Sequence, residues 1–175
     1  SAFEKTIQIS EFSSNKHPAA YVALARVLSE NDNPEEALKL LKRTNEVFKD
    51  SKDSVNIAIQ AAAVQSAVHH KAGQAEEAQA AMAQVEALLA SHADKASPQT
   101  AMEVAQSMLA LGRKEQACAL MRNLVKSNHE DTQLSGQVQA LFEQAQMGEE
   151  GRALIAESRE EAISINNQGV LLGRQ

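Results

Sequence analysis

The chain has 175 residues, 43% of them apolar and 23% charged, long enough to bury a core of its own. Aromatic residues make up only 3%, tryptophan is absent and alanine fills the space, which favours closely packed helices over a β-sandwich or barrel. A net charge of −6 argues against nucleic acid as a partner, because the densest basic runs, Lys39–Arg43 and Arg113-Lys114, are short and flanked by carboxylates.

Residues 2–12 read as a short leading helix. The first clear helix carries Tyr21, Leu24, Ala25 and Leu28 at 3-1-3 spacing, and its partner carries Ala37, Leu38, Leu41, Val47 and Phe48. A long alanine-rich pair follows, roughly 53–72 and 75–91. Ser97-Pro98 then opens a helix with Ala101, Val104, Ala105 and Met108, whose partner carries Ala117, Leu120, Met121 and Leu124. A helix near 132–146 buries Leu134, Val138, Leu141 and Phe142. Beyond it no glycine or proline interrupts 152–168, so one long helix from about residue 149 is expected. No stretch alternates as a strand would, and none has the apolar length to span a bilayer.

Four short stretches repeat: Asn33-Pro-Glu-Glu-Ala37, Gln74-Ala-Glu-Glu-Ala78, Arg113-Lys-Glu-Gln-Ala117 and Glu149-Glu-Gly-Arg-Ala153. Each follows a turn residue, Asp32, Gly73, Gly112 or Gly148, and the alanines lie 41, 39 and 36 apart. Repetition at that period signals stacked helical hairpins. The turn residue accepts a left-handed backbone, carboxylates open the next helix at its positive end, and the alanine sits where two helices cross closely. The expected class is all-α, about eight to nine helices stacked as antiparallel pairs into an α-α superhelix. The units fall roughly at 18–51, 53–92, 97–128 and 131–160, within one domain over 1–175, and a truncated further unit begins at 162.

These residues resemble the tetratricopeptide repeat. Tyr21, Leu24, Ala25, Leu28, Asp32, Ala37 and Leu41 match one unit, and Ala101, Val104, Ala105, Met108, Gly112, Ala117, Met121 and Leu124 match another. The unit through Ser66, Gly73, Ala78 and Met82 is similar but places Gln65 and His69 at usually apolar positions. The runs 124–131 (LVKSNHED) and 141–174 further resemble bacterial response regulators in which a receiver domain precedes tetratricopeptide-like helices. That resemblance implies a cytoplasmic two-component phosphorelay protein whose receiver lies outside this chain, the opening Ser1-Ala2 reading as an excised fragment. It implies docking of protein or peptide partners, no enzyme activity and no cofactor. By repeat position the groove would be lined by Val22, Arg26, Ala63, His70, Met102 and Gln106. A terminal stripe of Ile165, Gly169 and Leu172, continuing from Ala162, is the alternative surface, for homodimers.

Other candidates have plainer explanations. His69 and His70 are adjacent, about 100° apart on a helix, and no carboxylate, thiol or imidazole stands three or four residues away to complete a metal site. Lone Cys118 fits a reducing compartment and a packed thiol. His129-Glu130-Asp131 reads as a turn and helix cap, and the carboxylates 149, 150, 157, 160 and 161 as a solvated face interleaved with Arg152 and Arg159.

Overall fold

The computed structural model describes residues 17–92 and 95–172, with side chains described through residue 165. The leading helix expected over 2–12 lies outside those residues. Among the described residues every element is helical. Eight helices follow in order: α1 (Pro18–Glu30), α2 (Pro34–Phe48), α3 (Ser54–Lys71), α4 (Ala75–Ser91), α5 (Pro98–Ala110), α6 (Lys114–Ser127), α7 (Thr132–Gln144) and α8 (Gly148–Leu172). The all-α class is therefore correct, and α8 is the long uninterrupted helix that the absence of breakers implied.

Four connections share one backbone design. Asp32, Gly73, Gly112 and Gln146 have positive φ, from 56° to 75°. In each turn the following N–H donates five residues back: Asn33 to Leu28 O, Gln74 to His69 O, Arg113 to Met108 O and Met147 to Phe142 O, at 2.8–2.9 Å. The positive-φ residue itself donates three residues back, to Ser29, His70, Leu109 and Glu143. This paired pattern satisfies the last carbonyls of one helix and turns the chain into the next.

The turns correct the fourth repeat. The left-handed residue is Gln146, where Gly148 had been expected, and five residues on stands Gly151 in place of Ala153. Ala37, Ala78 and Ala117 are buried as expected, whereas Ala153 is exposed and Gly151 is buried. Seven residues before each turn stands the complementary position: Ala25, Ser66 and Ala105, all fully buried, and then Gln139. In the fourth hairpin the sizes are exchanged. A Cβ at Gly151 would lie 2.7 Å from Phe142 Cβ and 3.1 Å from Gln139 Oε1, so the longer side chain on α7 is matched by none on α8.

The described residues form two compact units, divided between Ser107 and Met108. In the first, α1 packs on α2, α2 on α3, α3 on α4, and α1 also reaches α3. Val22, Ala25, Ala37, Leu41, Ala61, Val64 and Val68 form one cluster, and Tyr21, Leu24, Phe48 and Ile57 another. Tyr21 meets Phe48 edge-on, ring centres 5.4 Å apart. Residues 61–64 are all buried, and four successive side chains at 100° sweep most of a helix circumference, so α3 is enclosed on every side. Ser66 Oγ donates to Ala78 O at 2.7 Å, giving the one hydroxyl among the close-crossing positions a carbonyl partner across the α3–α4 contact.

In the second unit α8 packs on both α6 and α7. Arg122 pairs with Glu157 at 3.5 Å and Lys126 with Glu161 at 2.5 Å. Both pairs advance four residues on each helix, so α6 and α8 run parallel. Asp131 caps α7, its Oδ1 accepting from Leu134 N at 2.9 Å, as the sequence implied.

Two glycine substitutions should therefore act in opposite directions. Gly151→Ala is expected to cost about 1–3 kcal/mol by overpacking against Phe142. Gly136→Ala, on an exposed stretch of α7 with nothing within 4 Å of the added Cβ, should gain up to about 1 kcal/mol from helix propensity. Urea denaturation of the two variants checks the signs; equal effects would refute the close crossing.

Candidate functional site

The groove residues expected from repeat position lie on the first helices of the hairpins, α1, α3 and α5. Val22 and Ala63 are not surface residues: both are buried, Val22 inside the main cluster and Ala63 on the enclosed helix α3. Met102 and Gln106 are half-buried on α5, and His70 is exposed at the end of α3. The structure thus keeps Met102, Gln106 and His70 available and withdraws the two aliphatic positions into the core.

Arg26, expected to line the groove, is engaged in an ion pair. Its guanidinium Nη2 pairs with Glu103 on α5, with side-chain exposures of 23% and 20%. Gln99 Nε2 approaches the same carboxylate at 3.4 Å. The only arginine of the expected groove is therefore engaged within the chain, joining the two helices that both contact α3.

A second polar group fixes α5 on α3. Asn56 accepts from Ser97 N and Thr100 Oγ1, each at 2.9 Å, and donates to Lys95 O at 2.9 Å. Gln60 donates to Thr100 Oγ1 at 3.0 Å. Thr100 is fully buried, so these bonds replace its lost water.

The His69-His70-Lys71 stretch divides its roles. His69 Nδ1 lies 2.6 Å from Gln74 Oε1, and its Nε2 lies 3.4 Å from Gln65 Nε2. A neutral ring protonated at Nδ1 satisfies both contacts, which accounts for polar residues at two positions where the repeat usually has apolar ones. Lys71 Nζ donates to Ser29 O at 2.6 Å and Glu30 O at 3.2 Å, and lies 3.2 Å from Asp32 Oδ1. It neutralises the negative end of α1 and borders a cavity of about 190 Å³ lined also by Ser29, Asp32, Pro34, Val68 and Ala72.

Cys118 is half-buried, and burial pushes its thiol above the ordinary range; Arg122 opposes this while Glu150 and Glu115 add to it. A thiol held protonated is a poor nucleophile. Two of the carboxylates of α8 find cations on a neighbouring helix, Glu157 and Glu161 on α6, while Arg152 of α8 reaches Glu143 on α7 at 3.9 Å. Lys126 beside Glu161 holds that carboxyl below its usual range. Among the described residues no three His, Cys, Asp or Glu side chains gather as a metal site.

On α8, Ile163 and Ile165 are 52% and 58% exposed. Gly169 and Leu172 lie on the same helix, in the stretch whose side chains are outside the described residues. Among the described residues no helix is long and apolar enough to cross a membrane.

Hairpins that repeat one turn and one close crossing define a helical-repeat scaffold. The tetratricopeptide repeat family model matches residues 18–43 and 99–123, covering most of the α1–α2 hairpin and the greater part of α5–α6. These two stretches are thus similar to tetratricopeptide repeats, within described residues that are all-helical. Repeats of this type generally mediate protein–protein interaction and are typically non-enzymatic. No curated protein and no solved structure matches the chain.

The Arg26–Glu103 pair yields a direct test. Arg26→Met or Glu103→Leu alone should cost about 1–3 kcal/mol, since each strands a mostly buried charge. The double variant should recover much of that loss. Additive losses in a urea-denaturation cycle would show that the two side chains act independently.

Proposed function

We propose that this chain docks protein or peptide partners, without chemistry, across the half-exposed faces of its first helices, at Met102, Gln106 and His70. The observation that carries this reading is that three polar side chains framing this surface are engaged within the chain. Arg26 is bound to Glu103, Thr100 to Asn56 and Gln60, and Lys71 to the end of α1, so the outward residues rest on a fixed platform. A mixed apolar and polar surface of this kind suits a helix or an extended segment.

The finer setting rests on the sequence. The likeness of residues 124–131 and 141–174 to receiver-linked regulators supports a cytoplasmic bacterial two-component protein of which this is the helical output region. We read residues 1–175 as one repeat domain, with units near 18–51, 53–92, 97–128 and 131–160 and a further unit opening at 162. Substituting Met102→Asp with Gln106→Lys should abolish partner recovery in a pull-down while the melting temperature changes little. Undiminished recovery of every partner would overturn the groove.

A second reading is homodimerisation through α8, favoured by the exposure of Ile165 and extended by Gly169 and Leu172 at helical spacing on the same face. Sedimentation over a hundredfold concentration range should then show a dimer that Ile165→Asp dissociates. A monomer throughout would exclude it.

A further inference from the structure

Three helix ends meet in the first unit on the side away from the left-handed turns: the end of α2, the start of α3 and the end of α4. Between them lies a groove of about 290 Å³. Phe48 and Ile57, both buried, form its floor, and Val55, Ala58 and Leu88, each half-buried, form its walls. The Phe48 ring is held edge-on by fully buried Tyr21, so the floor is set before anything binds. Such a recess suits one large apolar side chain, the kind of anchor that dominates an interface.

The rim is polar, with Asn45, Lys49 and Ser54. Of the charged residues between 46 and 53, namely Glu46, Lys49, Asp50, Lys52 and Asp53, only Lys49 lines the groove. Lys49 is exposed, and among the described residues no carboxylate pairs with it. On the same rim α3 opens. The first N–H groups of a helix find no carbonyl inside it, and the Asp53 side chain makes no cap there. An ammonium and the positive end of a helix both favour an anion.

We propose that this groove binds a partner segment in which an aliphatic or aromatic side chain stands next to a carboxylate. The side chain fills the recess over Phe48 and Ile57, and the carboxylate lies between Lys49 and the start of α3. A basic segment would meet like charge at that rim. A wholly apolar one would cover the ammonium and the helix end without giving either an acceptor, at the cost of their hydration. The groove shares no residue with the surface at Met102, Gln106 and His70, so it gives the first unit a second, separately specified contact.

Amide shifts of the nitrogen-15-labelled full chain test the proposal, with acetylated hexapeptides of the form Gly-Ser-X-Z-Ser-Gly as probes. The Leu-Asp peptide should shift the amides of Lys49, Val55, Ala58 and Leu88 saturably. It should bind at least about threefold tighter than Leu-Asn, for the carboxylate, and about tenfold tighter than Ser-Asp, for the apolar anchor. Lys49→Glu, a change at an exposed position, should remove the preference for Leu-Asp and give Leu-Lys the advantage. Equal affinity for Leu-Asp and Leu-Lys, or no saturable shift at these amides, would overturn the proposal. So would the same shifts on concentrating the protein alone, since a second copy would then be the occupant. Met102→Asp with Gln106→Lys should leave the titration unchanged; loss of binding in that variant would move the contact to the other surface and overturn this one.

Discussion

The organisation of this chain depends on how closely two helix backbones approach beside a turn. A residue in the left-handed region lets the next N–H reach five residues back, which fixes the angle at which the second helix leaves. Seven residues before and five after that point, the backbones come together, and the side chains there must share a small volume. Alanine beside alanine solves the problem in the first hairpin; serine and alanine solve it in the second, where the hydroxyl gains a carbonyl 2.7 Å away. The fourth uses a long side chain against none. Once the crossing is set, the larger residues on either side, such as Tyr21 with Phe48 or Val138 with Phe142, are brought to their places in the core.

Much of this was readable without coordinates. Glycine or aspartate followed by carboxylates and an alanine is a compact signal, and it located three turns and three crossings correctly. It misplaced the fourth because Gln146 occupies the left-handed position with a side chain that rarely does so, φ 58°, while a glycine two residues later offered a more familiar candidate. Aligning the four stretches on the buried small residue instead would have found Gly151.

The site was less legible, for a reason of distance. Arg26 and Glu103 lie 77 residues apart, and nothing near either one marks the other. The same holds for Asn56 and Ser97, 41 apart, and for Lys71 with the carbonyls of α1. Short-range periodicity identifies which face of a helix is apolar; it is silent on which polar groups meet once hairpins stack. Val22 and Ala63 were assigned to the surface by repeat position, yet α3 is so rich in small residues that its neighbours close over it. Gln65 and His69, which looked like departures from the pattern, meet one another directly, and Gln74 takes the other ring nitrogen of the histidine.

The left-handed residues are 41, 39 and 34 positions apart, although the four elbows they form have the same hydrogen bonds. Nearly all of the variation in length therefore lies in how far the helices run toward the opposite ends of the hairpins, 15 and 18 residues in the first interval, 17 and 13 in the second, 14 and 13 in the third. Evolution, or an engineer, could add or remove residues at those ends as one adjusts the slack of a strap without touching its buckle. Insertions at an elbow itself would break every bond that defines it.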